Sequence, residues 1–213
     1  KYRQIDLYLN ENNPDTLIKQ KTIEMVSHQL NLNRPYELIV HQYSQNTSRN
    51  IKSAQKNGLE YIENASVKKI IRLFQRNRGK QKAVHYKKRD YYTFIRMAHH
   101  ALQQGKLDNI GVISEGKLIA GALFLRDKER TWFWFSGRDN TQANKKAMFF
   151  LIDEYIKRHA GQPVILDFNG SMNENVARLY KGFGGIPYNY SMLHFTRNFY
   201  LGGLIRLYKA IKS

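Results

Sequence analysis

The sequence contains no cysteine. That excludes disulfide frameworks and thiolate-held metals, and it fits a reducing compartment. No apolar run reaches the ~18 residues that a membrane span needs, and no signal-peptide pattern stands at the start. The chain opens at Lys1 rather than at methionine, so a further N-terminal portion is expected. A Walker phosphate loop, Gly-x-Ser-x-Gly and His-Glu-x-x-His are all missing. The seven histidines are scattered, and the adjacent His99 and His100 point in different directions on a helix, so no metal site is expected. Acids are scarce as well. Only 17 Asp and Glu face 35 Lys and Arg, a net charge of +18 over 213 residues.

The excess of base is blocked rather than mixed. Lys68 to Arg89 holds ten Lys and Arg and no acid, and Gln42 to Leu59 holds Arg49, Lys52 and Lys56 without an acid. The tail from Thr196 to Ser213 adds four bases. A field of this kind attracts phosphate polymers or anionic lipid, although a merely solvated basic surface is the alternative. With 42% hydrophobic and 13% aromatic residues, the chain can bury a core. Its length suits one large domain, or one domain with a piece of another.

Periodicity supplies the elements. Ile5 to Leu9 alternates as a strand, and Lys21 to Leu32 leans to a strand in its second half. Arg34-Pro35 opens a helix, and a second helix runs from Ser48 to Asn57, stopped by Gly58. Leu59 to Ile62 reads as a strand. Ser66 caps a helix from Val67 to about Arg76. Asp90 begins a helix whose Tyr91, Phe94, Ile95, Ala98 and Leu102 share one face. Three hairpin strands follow, at 109–114, 117–125 and 130–136. Trp132 to Phe135 is apolar on both faces, so both must be covered. Gln142 to His159 is a helix, Val164 to Phe168 a buried strand, Asn173 to about Phe183 a helix, and Tyr188 to Phe195 a strand. The tail reads as a short basic amphipathic helix that packs on the domain or rests on a membrane surface. The second half is therefore β-β-β-α-β-α-β, an α/β class with a mixed, mostly antiparallel sheet flanked by helices.

Chemistry concentrates between Val164 and Gly185. Asn173 offers an acceptor to a helix start. Val176, Leu179 and Tyr180 share a face, and Gly184 lets the chain leave with positive φ. The pattern Asn173-x-x-Val176-x-x-Leu179-Tyr180-x-x-x-Gly184 resembles the late helix of GNAT acyltransferases, with Val176 in place of Ala and Gly185 in place of Phe. That resemblance implies a GNAT-like sheet and gives Tyr180 the place of the residue that protonates the leaving group. Packing as an amphipathic core aromatic is the other reading of Tyr180.

Asp167-Phe168-Asn169-Gly170-Ser171 follows a buried strand and precedes a helix, where an α/β sheet presents its carboxyl edge to ligands and where N–H groups can hold an oxyanion. A carboxylate in an apolar strand needs a partner or a use. Asp167 to Ser171 with Arg178 to Gly184, together with Tyr43-Ser44-x-Asn46-Thr47-x-Arg49-Asn50-Ile51-Lys52-x-Ala54, resembles the Fem-type aminoacyl and peptidyl transferases over roughly Tyr36 to Phe195. This implies transfer of an amino acid from aminoacyl-tRNA to an amine on a peptidoglycan precursor, in bacterial cell-wall or envelope synthesis, with no tightly bound cofactor. Asp167 and Tyr180 then become the candidate catalytic residues. Tyr43, Asn46, Arg49, Lys52, Asn169, Gly170, Ser171 and Lys181 become candidate substrate contacts. Arg49, Lys52 and Lys56 at three- and four-residue spacing would face phosphates together.

Two alternatives stand beside it. One is an acyl-CoA-dependent GNAT N-acetyltransferase, whose pyrophosphate loop would fall at Arg138, Thr141 and Ala143. Arg138 and Ala143 suit it, whereas Thr141 replaces a close-approach glycine and Asp139 adds negative charge. The other is a non-catalytic basic domain that binds RNA or an anionic surface, with Tyr86, Tyr91 and Tyr92 available for stacking. The expected organisation is a strand-containing lead-in at 1–33, the end of a missing GNAT-like domain, then a GNAT-like domain at 34–196 and a basic tail at 197–213. The expected location is the cytoplasm, or the inner face of the membrane.

Overall fold

The structure, a computed structural model, describes residues 4–11, 22–81, 86–140, 146–170 and 172–196. It divides into two units, one built from residues 28–186 and one from residues 1–27 with 187–213. Strand β2 (Thr22–Asn31) contributes to both. The strand expected in the second half of residues 21–32 takes in nearly the whole segment.

In the larger unit, β2 is followed across the sheet by β7 (Ile165–Asp167), β6 (Arg130–Arg138), β5 (Lys117–Arg126), β4 (Leu107–Ser114) and β3 (Glu60–Ile62). All neighbours are antiparallel except β6 and β7. The β4–β5 turn is Glu115-Gly116, with φ of 50° and 72°, as a two-residue primed hairpin turn requires. Between β5 and β6 the register skips Trp134, since Leu123 pairs with Phe135 and Phe124 with Phe133. This bulge lets consecutive residues turn the same way, and both Trp134 and Phe135 pack on Phe94, with centroids 4.5 and 4.7 Å away.

The doubly apolar run from Trp132 to Phe135 is thus covered on both faces. On one face Phe133 lies 5.1 Å from Phe124, which stacks on Tyr155 of α5 (Ala147–His159) at 3.6 Å. That face also carries α2 (Gln45–Lys56) and α6 (Glu174–Gly182). The short α1 (Tyr36–Val40) buries Ile39 in the same core. The other face carries α3 (Val67–Arg76) and α4 (Lys88–Gln103). Here α3 lies directly on sheet backbone. A Cβ on Gly137 would sit 2.3 Å from the Ile70 carbonyl oxygen and 2.6 Å from the Phe74 nitrogen, so glycine is required by close approach.

Helix starts follow their capping chemistry. Ser66 Oγ accepts from Lys69 N, and Asn173 Oδ1 accepts from Asn175 N and Val176 N at 3.1 and 3.2 Å. Helix α2 begins three residues earlier than the expected Ser48, because Ser44 Oγ caps it by accepting from Thr47 N at 3.2 Å. Asp90 lies inside the first turn of α4 and accepts from Lys87 N at 2.8 Å. In the smaller unit, β1 (Gln4–Tyr8) pairs antiparallel with β8 (Ile186–Thr196), which neighbours the first part of β2. Asn189 Nδ2 donates to Glu24 Oε1 at 2.6 Å there. The expected tail helix lies outside the described residues.

Candidate active site

Parallel β6 and β7 stay paired for three residues only: Arg130 with Ile165, Thr131 with Leu166, and Trp132 with Asp167. Strand β7 then ends, while β6 runs on to Arg138. The carboxyl end of β6 therefore has no β7 beside it, and such ends are where open sheets of this class hold ligands.

Tyr180 of α6 lies at this parting. Its ring stacks on Phe168 with centroids 4.4 Å apart and 16° between planes, and meets Phe133 edge-on at 6.2 Å and His28 at 6.4 Å. Burial pushes its phenol up to about 12, the nearby Arg78 guanidinium opposing and the Asp167 carboxylate adding to the rise. Tyr180 is therefore a protonated hydroxyl at neutral pH, with no hydrogen-bond partner among the described residues.

Asp167 is 2% exposed. Its Oδ2 meets Arg130 Nη1 at 3.3 Å, and its Oδ1 accepts from Asn169 N at 2.8 Å. Alternation along the strand turns Asp167 away from the face that carries Leu166 and Phe168, so it leaves the sheet on the side opposite to Tyr180, and no hydrogen bond joins the two. The Asn169 N–H, expected as an oxyanion donor, is already given to Asp167. Asn169 and Gly170 have φ of 55° and 95°, the left-handed turn that leads into α6. Ser171 lies outside the described residues.

The two segments that carry the Fem-type resemblance meet in space. Ser44 N donates to the Gly182 carbonyl at 2.8 Å. Tyr43 meets Phe183 edge-on at 5.2 Å. A Cβ on Gly182 would lie 2.4 Å from Thr47 Oγ1. The contact docks the start of α2 onto the end of α6, and Tyr43 is part of it, buried at 8% exposure. Its hydroxyl lies beside the Asp153 carboxylate, which already accepts from Tyr36 at 2.8 Å. Burial first, and that carboxylate second, raise the Tyr43 phenol above its ordinary value.

Asn46, Arg49, Lys52 and Lys56 lie on the opposite, exposed side of α2, whose buried side is Thr47, Ile51 and Ala54. Lys181 is exposed on α6, and Arg138 is exposed at the end of β6, its carbonyl accepting from Asn77 Nδ2 at 3.4 Å. Thr141 and Ala143 lie outside the described residues.

Three contributors escape sequence reasoning. Arg130 holds Asp167 across the β6–β7 pair. Arg78 comes from the 3-10 turn Arg78–Lys80 after α3. His28 is 1% exposed beside Tyr180, and burial, then the Lys181 charge, lower its pKa. The register of β2 against β7 would have located His28, but no motif marks it.

Residues 41–175 match the family model described as an acetyltransferase (GNAT) domain. Among solved structures, FemX superposes with a TM-score of 0.61 at 10% identity, over 84% of this chain and 63% of that one. The L-PGS of Bacillus licheniformis superposes with a TM-score of 0.53 at 10% identity, over 84% of this chain and 62% of that one. A tandem GNAT protein from the clavulanic acid biosynthesis pathway gives 0.50 at 10%, over 92% and 64%. At these identities the likeness is one of fold, and this chain spans about 63% of the length of FemX. No curated protein matches the sequence.

Proposed function

This chain belongs to the GNAT acetyltransferase family, and from that premise we propose that it moves an activated acyl or aminoacyl group onto an amine. The observation that carries the reading is Tyr180, a protonated hydroxyl without a hydrogen-bond partner among the described residues, clamped between rings where β6 outruns β7. A bound amine attacks the acyl carbonyl and the bond to the leaving oxygen or sulfur breaks. Tyr180 gives its proton to that leaving atom, and solvent takes the proton of the amine and restores the phenol. Holding donor and acceptor together supplies much of the rate. Asp167 is a positioning residue, fixing Arg130 and the turn through Asn169 that starts α6.

The donor in this reading is an aminoacyl-tRNA and the acceptor an amine of an envelope precursor. The fold shared with FemX supports it, as do the acid-free exposed cations Arg49, Lys52 and Lys56 on α2. A second reading, with acyl-CoA as donor, draws on the match to an acetyltransferase domain and on Arg138 at the end of β6. Incubation with charged tRNA or acetyl-CoA and an amine acceptor, followed by mass spectrometry, separates the two. Product from charged tRNA supports the first reading. Product from acetyl-CoA alone favours the second. No product from either, with no release of free tRNA or thiol, would overturn both.

A further inference from the structure

A run of cations that make no ion pair among the described residues lies not at Tyr180 but across the sheet from it, on α3. Gly121 and Gly137 let this helix settle onto the sheet with Ile70 against their backbone, which sets the face it turns outward. On that face Lys69, Arg72 and Arg76 stand at three- and four-residue spacing, all exposed. With Lys117, from the start of β5, they line a groove of about 280 Å³ whose remaining lining is Leu73, Gly116 and Leu118. None of the four cations makes an ion pair with a described residue. Glu115, two residues before Lys117 in sequence, is exposed in the hairpin turn before Gly116.

We propose that this groove holds the phosphate backbone of an RNA strand, the body of the tRNA whose ester is delivered to Tyr180. The inference rests on the aminoacyl-tRNA reading given above. The spacing supports it. At 1.5 Å rise per residue the three helical cations span roughly 10 Å, about the axial length over which one nucleic-acid strand presents three phosphates. Shape supports it too. A membrane surface would call for a flat face fringed with exposed large apolar side chains, whereas here the apolar Leu73 and Leu118 lie in a concave lining between the cations. Finally, the chain leaves α3 through Asn77, whose Nδ2 donates to the Arg138 carbonyl at the end of β6. The groove and the candidate active site thus share the carboxyl end of β6.

The test is binding of deacylated tRNA to the whole chain over a range of salt, with the variant Lys69→Gln/Arg72→Gln/Arg76→Gln set against the control Arg96→Gln/Lys106→Gln/Lys128→Gln, which removes equal charge elsewhere. Circular dichroism and unfolding midpoints verify that both variants fold. Loss of three phosphate contacts should weaken binding about tenfold or more at fixed salt and lower the slope of log K against log salt by about 2 to 3, while the control changes little. Equal losses in the two variants would overturn the groove and leave aminoacyl transfer standing. So would tRNA binding that is unchanged while binding to phosphatidylglycerol vesicles is lost. A selective loss in the groove variant, joined to a failure of charged tRNA to donate, would instead keep the groove and sink the donor reading.

Discussion

At the amino end of β6 charges come in partnered sets, whereas at its carboxyl end several cations make no ion pair among the described residues. Asp108 at the first end receives Arg126 Nε at 3.1 Å, the Tyr155 hydroxyl at 2.9 Å and His159 Nε2 at 3.8 Å. Arg158 there reaches Glu63 and Glu154. At the other end Arg78, Arg138, Lys117 and the cations of α3 make no ion pair among the described residues. Two of the buried tyrosines, Tyr155 and Tyr180, differ in the same way. Tyr155 stacks between Phe124 and His159 and gives its hydroxyl to Asp108, whereas Tyr180 is held as firmly by its ring but keeps its hydroxyl uncommitted. A polar group satisfied by its neighbours stabilises the fold. One left unsatisfied beside an excess of like charge is poised for a ligand of opposite sign.

The comparison can be broken or sharpened by four changes. Gly137→Ala should have the largest effect, about 3 kcal/mol of stability, because the added carbon meets the backbone of α3. Denaturant titration measures the loss, and a near-neutral result would mean that α3 is not seated as described. Tyr180→Phe should lower turnover about a hundredfold, equivalent to about 2.7 kcal/mol, with the unfolding midpoint unchanged. Full activity in this variant would remove the hydroxyl from the chemistry. Asp108→Asn should cost about 2 kcal/mol of stability and leave tRNA affinity as it was. A comparable fall in affinity would erase the distinction between the two ends.

The smallest effect concerns pH. Burial and then Lys181 hold the His28 imidazole below its ordinary 6.5. Above that value His28 is neutral in both folded and unfolded chains. As pH falls below it, the unfolded chain takes the proton first, so stability is lost until the folded pKa is passed. Thermal unfolding between pH 7 and 5 should show this loss, and His28→Gln should flatten it. An unchanged pH dependence in the variant would assign the loss to another group.

Much of the fold was legible because its signals are local. Ser66 and Asn173 mark helix starts by their own side chains, and Glu115-Gly116 marks a hairpin by its φ requirement. The doubly apolar run from Trp132 to Phe135 called for cover on both faces, which helices supply. The boundary of α2 was missed because Ser44, which accepts from Thr47 N, caps it, so that it starts three residues before Ser48. The site was legible only in part, because its members join across the sheet. Nothing in the neighbourhood of Arg130 tells of Asp167, 37 residues away. Strand alternation sends Asp167 and Tyr180 to opposite faces, which depends on where β7 starts. The Tyr43 and Arg178 to Gly184 segments were recognised by pattern, yet what brings them together is the close approach of Gly182 to Thr47. The basic block after Lys68 was plain in the sequence, but only α3 resting on Gly137 turns part of it into a groove.

Hydrogen–deuterium exchange of the whole chain with and without aminoacyl-tRNA tests the contrast between the two ends most directly. The account predicts protection in α3, in the turn at Arg78–Lys80 and in α6 around Tyr180, with the strand starts around Asp108 unaffected. Protection confined to the Asp108 end, or none anywhere under conditions where the tRNA is bound, would contradict it.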